Sequence, residues 1–481
     1  MIRFLDISNH TLFWYYLANN LAYLMMLIVA LRTSAAHQRR LESYRLRWIG
    51  ETPLAPPITI IVPAHNEEGS IRVAVRNLLE NHYPQLEVIV VNDGSEDRTL
   101  EAMRDEFRLQ PTRTVYVPKM ASAPISGLYR SEVDARLVVV DKKPGGSKAD
   151  AVNAGLNAAT SPYVCVVDAD SILEHDALLR IMVPVLDDPE HVVAVGGIIR
   201  VLNGSEIVMG RLRRVRLPRK SIEVIQVIEY LRAFLIGREA WAQGNMLMII
   251  SGAFGLFRTD LVRAIGGYRP HSIGEDFDLV ARLHRHLLEQ SAEYRILFVP
   301  DPMCWTEAPS DAKSLGRQRA RWQKGLLDVL WSNRDMLFKW RYGRIGFLAL
   351  PYLWVFELLA PVIEIGGIVT IVLAACLGAL SREFFFQFLL FGYAFATVIS
   401  IGSVLQEEIT YKRYNDWQDV ARLVSYCFLE HFPYRQLHMI WRLQGLWQYL
   451  WGDNDWRPLK RKGMESATIP LVHRGVPHED S

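Results

Sequence analysis

Cysteine is scarce in this 481-residue chain: Cys165, Cys304, Cys376 and Cys427 stand far apart, with no CxxC and no Cys/His pairing. That spacing argues against a disulfide framework and a thiolate metal site, and favours small buried hydrophobes in a reducing compartment. A dominant charge of one sign is also missing. Lys and Arg number 54 against 52 Asp and Glu, a formal net charge of +2, so nothing in the composition points to nucleic acid as a partner. There is no internal repeat and no low-complexity tract. The N-terminal apolar stretch is too long for a signal peptide and lacks the small-residue cleavage pattern.

Apolar residues, by contrast, make up 50% of the chain, which predicts a protein that is part globular and part membrane. Thr11–Leu31 is 21 residues without a formal charge, close to the ~20 that span a bilayer. Arg32, Arg39, Arg40, Arg45 and Arg47 follow it, against a lone Arg3 ahead, which predicts an outside N-terminus and a cytoplasmic chain from residue 32 onward. Residues 345–380 would measure ~54 Å as one helix, too long for a single unbent span. A surface helix followed by a crossing, or a broken hairpin, is expected there, with Pro351 and Pro361 as break points. Residues 384–405 predict a second crossing. The apolar segment 421–451 carries Glu430, His431, Arg435, His438 and Arg442, so it either lies in the interface or lines a polar path. Ten of the thirteen tryptophans follow residue 300, as interfacial anchors would. The run RPLKRKG, 457–463, predicts a cytoplasmic C-terminus and so an odd number of crossings, three or five.

Between these parts, TPLAPP at 52–57 reads as a linker. From Ile58 to about residue 300, apolar runs such as ITIIVPA, LEVIVVND, LVVVD, YVCVVDAD, VVAVGG and YRILFVP alternate with helical patterns at 70–80, 97–107, 148–159 and 276–290. The alternation predicts an α/β sheet with ligands at the carboxyl ends of its strands. Residues 118–135 form a longer connection than such a fold usually needs. The run RLRRVRLPRK, 211–220, has six cations in ten residues and reads either as a solvated loop or as a contact with anionic lipid headgroups.

Several of these strands end in residues suited to chemistry. Asp168 and Asp170 close an apolar strand at spacing i, i+2, which in extended chain directs both carboxylates to one side, where they can share Mg²⁺ or Mn²⁺ with a diphosphate. A DxD also recurs on ordinary polar loops. Asp93 closes a second strand and can accept hydrogen bonds from a nucleotide or simply cap the next helix. His65 and Glu67 follow the first strand. Lys148 starts a helix after a glycine turn, a plausible phosphate cradle. Gly274 precedes Glu275 and Asp276 at a helix start, where a carboxylate stays ionised as a general base must, or merely complements the helix dipole. In GRQRARWQKGL, Gln318, Arg321 and Trp322 are i, i+3, i+4 neighbours on one helix face: a guanidinium for diphosphate and an indole for a sugar face, or an interfacial helix with both at headgroups; Arg317, Arg319 and Lys324 of the same stretch are expected at headgroups.

Taken in order, PAHNEE, VNDGS, GGSKADAVNAG, DADS, SGAFGLFR, GEDFDL and QRARW resemble the motif series of family 2 glycosyltransferases. QxxRW with apolar helices behind it is similar to the processive synthases of cellulose, hyaluronan and poly-N-acetylglucosamine. The resemblance covers about residues 57–330. It implies a GT-A (Rossmann-like) α/β domain, a UDP-sugar donor and a divalent cation. By resemblance His65 (a tyrosine in the cellulose synthase version), Glu67, Asp93, Lys148, Asp168, Asp170 and Arg321 would bind the donor, and Asp168 and Asp170 would also hold the metal. Asp276 would be the catalytic base, and Ser251, Gly252, Gln318 and Trp322 would contact the acceptor. The base motif reads GED where TED is common, which removes a hydroxyl but keeps the carboxylate. One N-terminal crossing stands where several of these synthases have two, and the stretch after Trp456 is too short for the cyclic-di-GMP-binding barrel of bacterial cellulose synthases.

The implied organisation is a transmembrane helix at 1–34, a linker at 35–57, the GT-A domain at 58–314, an interfacial QxxRW region at 315–343, membrane and interfacial helices at 344–456, and a cytoplasmic tail at 457–481. The implied activity is inverting, processive polymerisation of a β-linked polysaccharide from UDP-N-acetylglucosamine, or next UDP-glucose, with translocation across a bacterial-type inner membrane. The expected partners are the donor, the growing polysaccharide, membrane lipids and accessory export subunits, and no nucleic acid. Two other readings are a membrane enzyme adding a single sugar to a lipid, and a non-catalytic subunit of an export complex.

Overall fold

A computed structural model describes residues 2–43, 52, 55–112, 116, 118–208, 210–378, 381–414 and 416–452. Arg45, Arg47, part of the 52–57 linker and the 457–463 run lie outside these residues. A long helix α1 (Ile2–Ser43) leads into an α/β domain, and a set of helices follows it.

The domain is built on one ten-stranded sheet in the order β3-β4-β5-β2-β1-β6-β11-β8-β12-β7. Its strands are β1 (Ile58–Ala64), β2 (Leu86–Asp93), β3 (Leu109–Pro111), β4 (Ile125–Ser131), β5 (Leu137–Lys142), β6 (Tyr163–Val167), β7 (Ser171–Leu173), β8 (Val192–Val201), β11 (Phe254–Arg258) and β12 (Arg295–Thr306). β5, β2, β1 and β6 run parallel. Parallel strands are covered on both faces, which is why they read as continuous apolar runs and why almost every residue of β1, β2 and β6 is buried. The expected α/β sheet is therefore present, with strands and helices close to the predicted positions. β11 is antiparallel to β6 and β8. Because β11 runs backwards, its entry at Ser251–Gly252 reaches the same sheet edge as the carboxyl ends of β1, β2 and β6, with Phe254 opposite Val167.

Residues 118–135 are more than a connection. The Asn157 side chain accepts the Lys119 and Met120 amides at 2.8 and 2.7 Å, and Asp150 accepts the Ala123 amide. The chain then forms β4, which pairs antiparallel with both β3 and β5, β3 being the strand at the edge. The cationic run 211–220 forms one side of a two-stranded hairpin, β9 (Glu206–Val208) with β10 (Arg211–Arg214). Arg211 pairs with Glu80 at 2.7 Å and Arg216 with Glu206 at 2.8 Å, while Arg213 and Arg214 are exposed.

Among the described residues, two helices are long and apolar enough to cross a membrane, His10–Ser34 within α1 and Phe385–Thr410. Ile345–Leu358 and Ala360–Cys376 together would make a third, bent by 44° at the break between them. Pro361 begins the second half, where its missing N–H costs nothing, so the break falls where expected. Pro351 does not break the chain: it sits between two π-helical turns that absorb the lost hydrogen bond. The N-terminal helix is tied to the sheet domain by the Ser34 hydroxyl, which donates to Glu239 at 2.9 Å, and by His37 against Asp301.

Helix α2 (Lys148–Ala158) follows β5, α3 (Glu275–Glu289) precedes β12, and α4 (Ala312–Ser332) carries the QxxRW segment. α4 begins where the Asp311 side chain caps the Ser314 amide at 2.9 Å. It crosses α5 (Arg435–Leu450) at a glycine: a Cβ on Gly445 would stand 2.4 Å from the Ala320 carbonyl oxygen and 2.9 Å from its Cα. Gly445→Val is expected to force the helices apart and cost about 1–3 kcal/mol. The measurement is the thermal midpoint of the detergent-solubilised protein, and an unchanged midpoint would contradict this close crossing.

Candidate active site

Four elements meet at the shared sheet edge through one ammonium group. Lys148 opens α2 behind Ser147, whose side chain accepts the Asp150 amide. Lys148 Nζ pairs with Asp168, just beyond β6, and donates to the Gly252 carbonyl at 2.9 Å. The Gly252 amide in turn donates to Asp276 Oδ2 at 3.2 Å. A Cβ on Gly252 would lie 2.9 Å from Lys148 Nζ, so glycine lets the backbone approach this closely. Burial works against the Lys148 charge, but Asp168, Glu275 and Asp276 outweigh it and hold the ammonium above the ordinary lysine value. Burial and the neighbouring Asp276 raise the Glu275 carboxyl, with Lys148 and Arg321 offsetting part of the effect.

A second ion-paired group lies at the end of β2. Asp93 accepts the Gly145 amide at 2.9 Å and pairs with Lys142, which is 1% exposed and also meets Asp150 at 2.7 Å. Lys142 escaped the sequence reading because a lysine closing LVVVDK looks like a surface residue. The His65 ring lies 2.8 Å from the Asp93 carbonyl oxygen, and Glu67 accepts the Ser70 hydroxyl at 2.7 Å. His65, Glu67, Asp93, Lys148 and Asp168 all face one cavity.

Asp168 and Asp170 differ from the expected extended pair. The chain turns at this point, with the Ser171 amide bonded to the Asp168 carbonyl at 3.0 Å. Asp168 faces the cavity, whereas Asp170 is 2% exposed and is not part of the cavity wall. The turn, invisible to i, i+2 counting, separates them. Among the described residues no group of three or more His, Cys, Asp or Glu could hold a metal.

On α4, Gln318, Arg321 and Trp322 line the cavity, as do Ser251, Gly252 and Asp276. Trp322 is 44% exposed and lies under the Arg319 guanidinium, 4.2 Å from its ring centre. Arg319 is buried against Glu229. Lys324 is buried too and faces the cavity. A headgroup role for Arg319 and Lys324, allowed by the sequence, is thereby overturned, and only Arg317 of that trio is exposed. The sequence could not show that the facing helix supplies Glu229.

The cavity, about 1550 Å³, continues from this cluster between the apolar helices. Glu430, His431, Arg435, His438 and Arg442 line it, so segment 421–451 takes the polar-path alternative. Carboxylates answer its arginines: Arg232 meets Glu430 at 2.8 Å, Arg435 meets Glu364 at 3.0 Å and Arg442 meets Glu357 at 3.7 Å. Arg232, Glu357 and Glu364 were not singled out in the sequence, because isolated charges in apolar segments have no motif to mark them.

Residues 59–119 match the family described as glycosyl transferase family 2, and residues 128–325 the glycosyltransferase like family 2. A probable glycosyltransferase of Bacillus subtilis, YdaM, is 26% identical over 315 residues, 65% of this chain and 65% of the relative. The poly-β-1,6-N-acetyl-D-glucosamine synthase of Staphylococcus aureus is 30% identical over 275 residues, 57% of this chain and 55% of the relative. The chain thus spans between about half and two-thirds of the length of these relatives. Among solved structures, the mannosyltransferase PcManGT of Pyrobaculum calidifontis, in complex with GDP-Man and Mn²⁺, aligns with TM-score 0.49 and 22% identity over 85% of this chain and 99% of that one. The S. aureus TarS 1–349 complex with UDP-GlcNAc aligns with TM-score 0.36 and 14% identity over 79% of this chain and 92% of that one. With its α/β sheet of the GT-A type, the chain carries glycosyltransferase family 2 domains.

Proposed function

We propose that this protein is a processive, inverting glycosyltransferase that polymerises a β-linked polysaccharide from a UDP-sugar and passes the chain into the membrane helices. The observation that carries the reading is a single cavity shared by the Asp276 cluster and the charged groups of the helices behind it. UDP-N-acetylglucosamine is favoured as donor, with UDP-glucose next; the relative named as a poly-β-1,6-N-acetyl-D-glucosamine synthase supports that order.

In this reading Asp276, held by the Gly252 amide at the start of α3, takes the proton of the acceptor hydroxyl. The freed oxygen attacks the anomeric carbon from the face opposite UDP, inverting the α donor to a β product. Lys148 and Arg321 face the charge that grows on the departing diphosphate. Mg²⁺ is usually held by one or two carboxylates plus substrate phosphates, and Asp168 supplies one such carboxylate in the cavity wall. Of the two carboxylates expected at a metal, Asp168 faces the cavity and would hold Mg²⁺ or Mn²⁺, which when bound would neutralise diphosphate charge, whereas Asp170 lies outside the cavity wall. Trp322 offers its indole to a sugar face, Gln318, Ser251 and Gly252 stand around the acceptor, and His65, Glu67 and Asp93 surround the nucleoside. The catalytic domain is assigned to the cytoplasmic side, as the arginines that follow the first span predict.

Asp276→Asn should reduce UDP release from the preferred donor by about 10²–10⁴-fold while UDP binding, measured calorimetrically, stays intact; unchanged turnover would remove Asp276 as the base. Trp322→Ala should shorten the product, read by gel filtration of labelled polymer, more than it weakens UDP binding. Lys142→Met leaves the Asp93 and Asp150 carboxylates without their buried partner, and is expected to cost about 3–5 kcal/mol and to lower both the thermal midpoint and UDP affinity. Membranes incubated with labelled UDP-sugars, followed by linkage-specific hydrolases, would test the whole assignment: a short lipid-linked product favours single transfer to lipid, and no UDP release from any donor favours a non-catalytic role.

A further inference from the structure

Six arginines line the cavity, and their partners separate them into two sets. Arg232, Arg319, Arg435 and Arg442 each meet a carboxylate, Glu430, Glu229, Glu364 and Glu357 respectively. Arg321 and Arg238 make no ion pair or side-chain hydrogen bond among the described residues. Arg321 belongs to the QxxRW segment and has a use in the proposed reaction at the diphosphate. Arg238 lies in none of the motifs.

The setting of Arg238 is that of a ligand-binding group. It closes the π-helical stretch Leu231–Arg238, and π turns recur at functional positions because they re-aim side chains. Its guanidinium lies over the Phe234 ring, 4.0 Å from the ring centre, which fixes the plane and leaves the edge of the fork for hydrogen bonds. Its Nη1 is enclosed by protein and has no acceptor among the described residues. Enclosing a donor without an acceptor is costly, and such groups in a cavity wall are commonly satisfied by what the cavity binds. The titratable groups that act on it are Asp276 and Tyr230; burial pushes the guanidinium down to about 10, against the pull of those two groups. Arg238 lines the same cavity as Asp276, Tyr230 and Glu229, the carboxylate that holds Arg319.

We infer that Arg238 is an acceptor-positioning residue that donates hydrogen bonds to sugar oxygens of the terminal acceptor unit while Asp276 takes the proton from the neighbouring hydroxyl. The inference rests on the proposed transferase reading and adds to it a binding group for the acceptor that is separate from the diphosphate site. An uncharged sugar suffices as ligand, since ring, hydroxyl and acetamido oxygens all accept from a guanidinium.

The test uses full-length protein in detergent with UDP-N-acetylglucosamine as donor and β-1,6-linked N-acetylglucosamine oligosaccharides as acceptors. Arg238→Gln is expected to raise the acceptor KM by about 10- to 100-fold, the effect of losing one charged hydrogen bond, with calorimetric UDP affinity unchanged. Arg238→Lys should restore part of the acceptor affinity. Arg238→Gln breaks no ion pair and loses only the Phe234 contact, so its thermal midpoint should fall by no more than a few degrees, whereas a mainly structural role would lower it further and leave the acceptor KM unmoved. An acceptor KM that does not move, or a fall in UDP affinity as large as the fall in acceptor affinity, overturns the inference while leaving the transferase reading intact. Failure of the unsubstituted protein to transfer from UDP-N-acetylglucosamine or UDP-glucose overturns both.

Discussion

The arrangement depends on one ammonium group that must be surrounded by carboxylates. Lys148 is carried by a helix after a glycine turn, Asp168 by the turn after β6, Gly252 by the entry to β11 and Asp276 by the start of α3, and the Lys148 side chain with the Gly252 peptide links all four. Without its acidic neighbours, burial would push that charge off; with them it stays. The same logic is repeated at Asp93, where Lys142 is almost completely buried between two carboxylates. A cleft held in this way is already charged and ordered before any donor enters, which is the condition for electrostatic stabilisation of a leaving diphosphate.

Placing these groups requires a sheet with mixed strand direction. Parallel β1, β2 and β6 deliver His65, Asp93 and Asp168 from their carboxyl ends, and β11, running backwards, brings Ser251 and Gly252 to the same edge from its beginning. The cavity extends from there into the helices, where paired charges stand in otherwise apolar segments. Charges in such segments persist only when they face protein, partners or water, and here they pair with one another in the cavity wall.

Much of this was legible in the chain. Continuous apolar runs marked the buried strands, the motif series placed the candidate base and phosphate groups, and the break before Pro361 followed from its missing N–H. Other features were not legible because they depend on what lies opposite. Arg319 and Lys324 looked like headgroup ligands until the surrounding helices buried them. The i, i+2 rule for Asp168 and Asp170 assumed extended backbone, and a turn gave the two carboxylates different surroundings. Lys142 and Arg238 carry no motif, and their meaning comes from burial and from the presence or absence of a partner.

Local sequence determined the elements and the chemistry available at their ends, since hydrophobic period, glycine turns and helix starts act over a few residues. Family membership also resided there, in short motifs whose order survives without any view of the fold. Tertiary structure alone decided which charges neutralise each other, which arginines are left without an ion pair among the described residues, and that the sheet edge and the apolar helices share a single cavity. Those outcomes depend on distances between residues far apart in the chain, and the strength of a charge depends on the burial that only packing creates.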